Sequence, residues 1–594
     1  MTSIFPPAIV FIMGALLIPF LKGRLKSVYM LILPVVAFLV LRGIPEGNYV
    51  IGQIMDKDLS LRIDRLSLVF GYVFILATFI GIIYALHVKE SGEHIAAFVY
   101  AGSGLGAVFS GDLITLFIFW ELLTISALFI IWSNRTKAAQ GAGFRYLLVH
   151  LFGGVSLLSG IILRVVETGS TDFGYIGLSG LSSYLILLGV AVNVGIPPLH
   201  GWLVDSYPEA SVTGTVFLSA FTTKTAVYVL ARAFPGEEIL IIAGLVMAVF
   251  PIFFAVLEND LRRVLSYSLI NQVGFMVVGI GIGIPLAING AVAHAFADIL
   301  FKSLLFMGVG AVLYRTGTAK GTDLGGLYKS MPITMIFTLI GAASISALPL
   351  FSAFATKSMI ITASGHEGMT IVYFLLLFAA AGVFHHAGIK IPFFTFFAHD
   401  SGKRPKEAPL NMLVAMGIAA FLSIFIGVYP QALYSILPNM VDYVPYTADH
   451  VISQLLLLFG AFSAFAFLMY TRIYPPEKRS INLDTDWFYR KAGPAVVSLI
   501  GVPFARIYAF LSRTVLETLP GFLAWFSRNP YGAMKIGADI ILLSLSGGGK
   551  EAQKNLQKEK AAYPGTLKEW SVSTAVTIAL LIFAAYLILF FFSQ

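Results

Sequence analysis

Apolar stretches about twenty residues long recur along the chain, and the polar residues collect between them. A helix of this length matches the thickness of the hydrocarbon core of a bilayer. Membrane β-strands would be about ten residues long with alternating polarity, and the segment from Leu66 to Leu86 shows no alternation. The pattern predicts an all-α polytopic membrane protein with about 14–16 transmembrane helices. The windows lie at 3–21, 28–43, 66–86, 93–110, 112–133, 142–165, 180–204, 209–233, 238–257, 263–284, 285–314, 331–364, 369–397, 410–430, 450–472 and 571–592.

The composition agrees with this pattern. Of the 594 residues, 58% are hydrophobic and 12% are charged, whereas an average soluble domain is about 25% charged. Cysteine is absent, which excludes thiolate-ligated iron–sulfur clusters, cysteine zinc sites, disulfides and thiol nucleophiles. The net charge of +8 favours basic cytoplasmic loops over nucleic-acid binding, because an excess of Lys and Arg is typical of such loops in membrane proteins.

Lysine and arginine follow the odd-numbered windows. The positive-inside rule therefore predicts a protein of the cytoplasmic membrane, with its N-terminus outside and these loops in the cytoplasm. The first window lacks a preceding basic region and a following cleavage signal, so we expect it to be retained as a helix. The basic residues are Lys22, Arg24 and Lys26; Arg135 and Lys137; Arg262 and Arg263; Arg315 and Lys320; Lys403, Arg404 and Lys406; and Lys478 and Arg479.

Two of the windows are interrupted by proline. Gly195-Ile-Pro197-Pro198 divides the seventh window, and Ala347-Leu-Pro349-Leu divides the twelfth. A broken helix at membrane depth requires protein or water to satisfy the freed backbone groups. Paired breaks in corresponding halves of a chain are typical of internal repeats around an ion path. An ordinary proline kink is the alternative at each site.

The pattern changes after Arg472. Residues 473–493 are polar, and residues 494–545 mix apolar side chains with basic ones that recur too often for a comfortable span. We expect this second segment to lie along the membrane interface, either as a lateral helix packed on neighbouring subunits or as a simple surface helix. A lysine-rich stretch from Lys550 to Lys560 then precedes the last apolar window.

Five charged side chains inside the apolar windows stand out. Each costs on the order of 2.5–3.5 kcal/mol at the bilayer centre, so their presence indicates a functional role. Snorkelling to an interface is the alternative, and it applies most to Lys390, which lies near a helix end. Lysine and carboxylate together suit proton transfer, because a carboxylate that moves can load or unload a buried lysine. The five residues are Glu121, Lys224, Lys302, Lys357 and Lys390.

Histidine and aspartate in or beside the windows would extend a proton path. His294, Asp298 and Lys302 are four residues apart and share one helix face, where they form either a relay or a mutually satisfied polar seam. No metal site is predicted at the adjacent histidines His385 and His386, since no acidic or cysteine ligand has suitable spacing. No phosphate-binding glycine loop follows a strand pattern, and no cofactor is predicted. The other histidine candidates are His150 and His200.

Six motifs occur in order over roughly residues 60–430. Together they resemble the antiporter-like subunits shared by respiratory complex I, Mrp-type sodium/proton antiporters and membrane-bound group 4 hydrogenases. The Lys224 motif is most similar to the D-type subunits of Mrp antiporters and their hydrogenase-linked relatives, and the tail is similar in layout to the largest antiporter-like subunit of complex I. The motifs are Phe119-Trp-Glu-Leu, Pro198-Leu-His-Gly-Trp-Leu203, Lys224-x3-Tyr228-x3-Arg232, Asp260-Leu-Arg-Arg-Val-Leu-Ser-Tyr267, His294-x7-Lys302-Ser-Leu-Leu-Phe306 and Gly341-x6-Leu-Pro349.

The resemblance implies two inverted five-helix repeats with two broken helices, built around a central chain of polar residues. It divides this chain into six segments. These are 1–92, the N-terminal transmembrane helices; 93–234, the first antiporter repeat; 238–397, the second antiporter repeat; 398–472, the C-terminal bundle helices; 473–570, a polar link and a lateral helix; and 571–594, the final transmembrane helix.

The resemblance also implies roles for individual residues. Glu121 matches the glutamate that forms an ion pair with a lysine, and Lys224 matches a lysine able to be its partner. His294 and Lys302 match the central relay, and Lys357 matches the residue near the exit. His200 and Asp205 match the loop of the first broken helix.

The chain departs from the family at two polar positions. Asn193 stands where a lysine is usual, and Asp298 replaces a second relay histidine. Because an amide cannot carry a proton in this range, either Glu121 pairs with Lys224 or the usual half-channel is rewired. Repeat symmetry relates the region of Lys224 to that of Lys390, which supports a role for Lys390.

These residues predict an ion-translocating subunit of a multi-subunit membrane complex, which moves protons or exchanges Na⁺ for protons. It would not be catalytic alone, since no energy-capturing site is visible in the chain. A partner redox module or an ion gradient would drive it, with sister antiporter-like subunits beside it. Two alternatives stay open: a structural subunit with a partly disabled channel, and a subunit of a stand-alone Mrp-type Na⁺/H⁺ antiporter. A carrier of organic solutes is disfavoured, because the motifs carry proton-path residues.

Overall fold

The computed structural model describes residues 6–54, 56–474, 482, 484–547, 549–565 and 572–592. The chain divides into two compact units, Met1–Tyr489 and Arg490–Gln594. Within the described ranges, twelve helices are long and apolar enough to cross a membrane, and four further apolar helices are shorter. The chain is therefore a nearly all-α polytopic membrane protein, as its apolar pattern predicts.

A β-hairpin lies among the first helices. Within the described ranges, it is the departure from the expected all-α fold. Apolar and polar residues alternate from Leu59 to Ile63, which is typical of a half-buried strand, and Leu61 and Ile63 are buried. The sequence pattern does not predict the hairpin, because a seven-residue strand is shorter than the twenty-residue windows that predict the membrane helices. The elements are α1 (Pro7–Ala15), α2 (Gly23–Arg42), the antiparallel strands β1 (Gly47–Ile54) and β2 (Lys57–Ile63), and α3 (Arg65–Ala85).

Two helical breaks occur in residues 93–234, the predicted first repeat (hereafter the first repeat region). The predicted break ends one helix at Gly195, which adopts φ +80°, a left-handed conformation that glycine adopts at little cost. Pro197 and Pro198 follow before the next short helix begins. A second break, at Phe221, is not predicted by the sequence pattern. The helices are α4 (Ser91–Val108), α5 (Leu113–Trp132), α6 (Lys137–Thr168), α7 (Leu181–Val194), α8 (Gly201–Ser206), α9 (Gly214–Ala220) and α10 (Thr222–Ala233).

Residues 238–397, the predicted second repeat (hereafter the second repeat region), contain two long helices that are almost wholly buried. The predicted break falls between α14 and α15, where Ala347 and Leu350 have φ of +56° and +76°. The helices are α11 (Glu238–Leu257), α12 (Leu261–Ile282), α13 (Pro285–Thr316), α14 (Pro332–Ile345), α15 (Ser352–His366), α16 (Thr370–Val383) and α17 (Lys390–Pro392), with π-helical turns at Phe384–Ile389 and Phe393–Phe397. All residues of α12 and most of α13 are buried, so the core of this unit surrounds these two helices.

Within the described ranges, the first unit also contains α18 (Leu410–Val428), α19 (Gln431–Tyr434) and α20 (Ala448–Tyr470). The described part of the second unit contains α21 (Gly493–Val496), α22 (Val502–Ser512), α23 (Leu519–Arg528), α24 (Pro530–Ser546), α25 (Lys550–Ala562) and α26 (Val572–Phe592), with π-helical turns at Val497–Gly501 and Arg513–Thr518. Large apolar side chains such as Phe504 and Leu516 are exposed in it, which is typical of a surface covered by lipid or protein. The lateral placement of this segment stays a prediction.

Candidate proton path

The polar residues of α13 lie at the centre of the first unit. His294, Asp298 and Lys302 each have 0% exposed surface, and α10, α12 and α15 pack against α13. Their four-residue spacing places the three side chains along one face of the helix. A charged row isolated from lipid in this way needs polar partners from the neighbouring helices.

Lys224 supplies the partner of Asp298. Its Nζ lies 2.6 Å from Asp298 Oδ2, and both side chains are fully buried. The same ammonium donates a hydrogen bond to the carbonyl of Ser219 at 3.0 Å. Of the two alternatives that the sequence leaves open, the pairing of Lys224 with Glu121 is therefore wrong for this structure. The unpredicted break at Phe221 places Lys224 in the first turn of α10, from where its side chain reaches α13.

His294 and Lys302 have uncharged partners. His294 Nδ1 lies 3.0 Å from Thr356 Oγ1, and its Nε2 lies 3.2 Å from Gln272 Oε1. Lys302 Nζ donates to Ser268 Oγ at 2.8 Å. A hydroxyl both donates and accepts hydrogen bonds, so the threonine and serine can hold the ring and the ammonium in more than one protonation state.

Lys357 lies at the second broken helix. Its Nζ donates to the carbonyl of Ile345 at 3.0 Å and lies 4.9 Å from the centroid of the Phe275 ring. The ammonium thus binds a carbonyl at the end of α14, where helical partners run out. The side chain also lines a cavity of about 260 Å³ between α15, α16 and α20, together with Tyr373, His450 and Gln454.

Lys390 is buried at the end of another helix. Its Nζ donates to the carbonyls of Ala255, Val256 and Glu258, at 3.2, 2.6 and 2.6 Å. These oxygens belong to the C-terminus of α11, where helix geometry leaves carbonyls without helical partners and favours a positive charge. Because Lys390 has 0% exposed surface, it does not snorkel to an interface, and its place in the proton path stays a prediction.

The adjacent histidines differ in their surroundings. His386 is fully buried, and neither of its ring nitrogens has a hydrogen-bond partner within the described ranges. His385 packs against the rings of Phe465 and Tyr474, at 5.5 and 5.6 Å between centroids. Among the residues that the structure describes, no group of three His, Asp or Glu side chains is placed to hold a metal ion.

Glu121 is partly buried between α5 and α6, and its Oε1 has no hydrogen-bond partner among the described residues. A Cβ at Gly154 would overlap this oxygen, so the absence of a side chain at Gly154 makes room for the carboxylate. Unlike each of the buried lysines, Glu121 is held by packing rather than by a specific polar partner. A carboxylate oxygen left in such a place is normally satisfied by water.

Helices α6 and α7 carry other polar atoms that have no partners in the described part of the chain. His150 is one helical turn before Gly154 on α6, its Nδ1 lies 3.0 Å from the carbonyl of Tyr146, and its Nε2 is unpartnered. Asn193, near the end of α7, has both side-chain polar atoms unpartnered and is 1% exposed. The His150 ring packs 4.5 Å from the ring of Trp202 on α8. The first repeat region therefore contains a series of buried groups suited to hydration.

Two polar contacts hold the loop of the first broken helix. His200 Nε2 lies 3.0 Å from Asp484 Oδ2, and Asp205 accepts two hydrogen bonds from the Arg145 guanidinium, at 2.6 and 3.0 Å. The bidentate geometry fixes the orientation of α8 relative to α6. The sequence motifs point to His200 and Asp205 but to neither partner. Arg145 could have been predicted as a functional residue, because it lies in an apolar window. Asp484 could not, because nothing in the local sequence distinguishes it from other polar residues of the link.

A known protein family matches the central part of the chain. A family model described as "NADH:quinone oxidoreductase/Mrp antiporter, TM" matches residues 110–385. That range includes Glu121, Lys224 and the polar row of α13, and it ends before Lys390. The resemblance to antiporter-like subunits is therefore confirmed over this range.

Curated relatives are also similar to the chain. The A-type subunit of the Na⁺/H⁺ antiporter of Alkalihalophilus pseudofirmus is 29% identical, over 70% of this chain and 60% of the relative. The A1-type subunit of the Na⁺/H⁺ antiporter of Staphylococcus haemolyticus is 28% identical over the same shares. The chain thus spans about 60% of the length of these relatives. They are A-type subunits, whereas the Lys224 motif resembles D-type subunits.

Two solved structures share the fold. The Mrp complex from Dietzia sp. DQ12-45-1b contains a chain with a TM-score of 0.65 and 19% identity, which covers 73% of this chain and 95% of its own length. The membrane-bound sulfane sulfur reductase, an archaeal respiratory membrane complex, contains one with a TM-score of 0.67 and 23% identity, covering 91% and 99%. At these identities the likeness concerns the fold alone.

Proposed function

We propose that this antiporter-like chain is a proton-translocating subunit of a multi-subunit complex in the cytoplasmic membrane. One observation supports this most directly: Lys224, Asp298, His294 and Lys302 are all fully buried and meet at α13. Charged groups at that depth are costly, and in membrane proteins they typically mark ion pathways. The proposed path runs through Glu121, Lys224 with Asp298, His294, Lys302 and then Lys357 or Lys390.

The proposed chemistry is proton exchange between neighbouring groups. When Asp298 takes up a proton, its attraction for the Lys224 ammonium falls, and the lysine can release its own proton more readily. Ser268 and Thr356 can reorient their hydroxyl groups as the next groups change charge. Each transfer moves one proton and returns its donor to the starting state once another proton arrives.

The basic loops support the proposed orientation, with the N-terminus outside the cell. We expect membrane partners that include sister antiporter-like subunits. The drive is either a redox module, as in a respiratory complex, or an opposing Na⁺ gradient, as the names of the curated relatives suggest. Mass spectrometry of the complex purified through a tag on this chain separates the two, since only the first contains redox subunits.

The test of proton translocation compares Lys302→Ala with Lys329→Ala in vesicles that hold the native complex. Lys329 is an exposed lysine paired with Asp400, so its replacement controls for the loss of a positive charge. We expect Lys302→Ala to reduce translocation on the order of a hundredfold and Lys329→Ala to leave it unchanged. Normal translocation by assembled Lys302→Ala complex would rule out the relay.

A second candidate is a structural subunit whose channel is partly disabled. Asn193 favours it, because an amide cannot carry a proton and this one has no hydrogen-bond partner in the described part of the chain. If Glu121→Gln and Lys224→Met both assemble and leave ion transport by the complex unchanged, the structural role is the better account. A stand-alone Mrp-type antiporter is indicated instead if the tagged complex contains only small membrane subunits and exchanges Na⁺ for protons.

A further inference from the structure

The chain segment after α20 returns to the first broken helix. Asp484 Oδ2 accepts a hydrogen bond from Tyr267 Oη at 2.9 Å and lies 3.0 Å from His200 Nε2. Asn482 Nδ2 donates to the carbonyl of Phe254 at 3.1 Å. The polar link is thus bound to the loop before α8 and to the two long helices α11 and α12.

The contact is closely packed and buried. The side chains of His200 and Asp484 are only 1% and 4% exposed. A Cβ added at Gly201 would lie 2.8 Å from Thr485 Oγ1 and equally close to Tyr489 Oη, so the link lies directly on the backbone of α8. A carboxylate buried this deeply is stable only with partners that favour its charge.

The charge state of Asp484 follows from its partners. Burial raises the pKa of this carboxyl, but the hydrogen bond and charge of His200, the backbone N–H of Thr485 and the Tyr267 hydroxyl lower it further, and the pKa lies below its usual range. Asp484 is therefore ionised at neutral pH. An anion 3.0 Å from an imidazole stabilises the imidazolium form.

The ring of His200 has a second nitrogen that does not contact Asp484. Its Nδ1 is buried and has no hydrogen-bond partner within the described ranges, as is the case for Thr485 Oγ1 and Glu258 Oε2. A histidine that served only to fasten two segments would be expected to satisfy both nitrogens, because unsatisfied buried polar atoms are costly. Water or a neighbouring proton acceptor at Nδ1 would satisfy it.

We propose that His200 is the proton inlet of the first repeat region and that Asp484, supplied by the polar link, is its positioning residue. This inference rests on the proposed function. In neutral His200 the Nε2–H donates to Asp484, so a proton from the cytoplasmic side binds the unpartnered Nδ1, and Asp484 stabilises the resulting imidazolium. The proton on Nδ1 then leaves toward His150 and Glu121, which restores the neutral ring with its Nε2–H still bound to Asp484. One proton enters and one departs, and Asp484 remains ionised throughout.

The pH dependence of this step involves every charged or titratable group facing the pair. From the link these are Asp486 and Tyr489; from α12, Tyr267; from the end of α11, Glu258; and from α6 and α8, Arg145 and Asp205. All of them stay in place in the variants below except Tyr267, whose change is itself a test. The variants therefore isolate the effect of Asp484 on His200.

The decisive experiment measures the pH profile of proton flux by the intact complex in proteoliposomes. Flux is driven in separate runs by a potassium diffusion potential with valinomycin and by a Na⁺ gradient. Asp484→Asn removes the charge that stabilises the imidazolium, so the alkaline limb of the profile should move about one to two pH units lower. Asp484→Glu should restore the wild-type profile, and the exposed-residue control Asp442→Asn should not change it.

Tyr267→Phe provides a test of opposite sign. It removes one donor from Asp484 and keeps the ring, so the carboxylate interacts more strongly with His200 and the limb moves to higher pH. If Asp484→Asn fails to assemble, Tyr267→Phe still tests the proposal, because its phenyl ring preserves the packing. In a His200→Gln background neither change should move the profile further, since both act through the imidazole.

The outcomes separate this inference from the proposed function. Wild-type flux that is unaffected by Lys302→Ala contradicts proton translocation by this chain. Flux that needs Lys302, but whose pH profile is the same in wild type, Asp484→Asn and Tyr267→Phe, overturns the inlet alone. A uniform loss of flux at all pH values without a shift of the limb also overturns it, because that is the effect of a segment that only fastens the loop.

Discussion

The buried ionisable groups of the two repeat regions differ in their hydrogen-bond partners. In the second region, Lys302, Lys357 and Lys390 each donate to a specific oxygen of the protein. In the first region, Glu121 Oε1 and His150 Nε2 have no such partner among the described residues. Lys224 belongs to the first region by sequence, but its ion pair is with Asp298 of the second.

The difference indicates two ways of keeping charge inside a membrane protein. Buried cations bound by carbonyl and hydroxyl oxygens are satisfied in a dry environment. A carboxylate oxygen and a histidine nitrogen without partners instead require water, so we expect protons from solvent to reach the chain in the first region. His386 is an exception in the second region, since both of its nitrogens are unpartnered within the described ranges.

The largest expected effect comes from breaking the ion pair that joins the regions. Asp298→Asn leaves the Lys224 ammonium buried without a counter-ion, which should lower the free energy of unfolding by about 3–5 kcal/mol. The double variant Asp298→Asn/Lys224→Met removes both charges and should recover most of that loss. Denaturant unfolding of the purified protein in detergent measures both. Equal stability of the single and double variants would contradict the importance of the pair.

Glu121→Gln should affect transport rather than folding. The side chain keeps its shape, and Oε1 has no hydrogen bond to lose within the described part of the chain, so the free energy of unfolding should change by less than about 1 kcal/mol. Proton flux should fall on the order of a hundredfold, because an amide cannot transfer the proton. The control is Glu367→Gln, at an exposed helix end. A loss of stability as large as that of Asp298→Asn would show that the Glu121 carboxylate has a stabilising charged partner.

Gly154→Ala tests the space that holds Glu121. The added methyl group would overlap Oε1 of the carboxylate, and the displacement should cost about 1–3 kcal/mol of stability. Gly460→Ala on α20 is the matched control, since a Cβ there meets nothing within 4 Å and alanine favours the helix. Thermal unfolding compares the two. Unchanged stability of Gly154→Ala would show that Glu121 moves freely.

The smallest effect concerns a partly buried charge pair. Asp64 caps α3 and lies 2.8 Å from Arg232. Burial raises the pKa of its carboxyl, but Arg232 and Ser67 lower it further, below its usual range. Asp64→Ala should cost about 1 kcal/mol at neutral pH. Because the folded-state pKa is depressed, that difference should be complete above about pH 4 and fade as the pH falls further. Unfolding measurements at pH 7 and pH 3 check this, and an equal difference at both would contradict it.

Much of the candidate site is predictable from the sequence. A charge in an apolar window is visible locally, and so is the four-residue spacing of His294, Asp298 and Lys302. Which charged side chains pair with each other is harder to predict from the sequence. The family pattern suggests Glu121 as the partner of Lys224, whereas the break at Phe221 directs Lys224 to Asp298. That break has no proline or glycine to signal it.

The membrane architecture, the two proline breaks and the set of buried charges can all be read from the amino-acid sequence. Hydrophobic run length, backbone restriction by proline and the cost of a charge in lipid are local properties, so a local pattern suffices to predict their effects. Only the folded structure identifies the partners of these charges. They are the acid that neutralises Lys224, the carbonyls that bind Lys390, and Asp484, which contacts His200 from 284 residues away. Such contacts depend on how helices pack, and no local pattern encodes which distant side chains will meet.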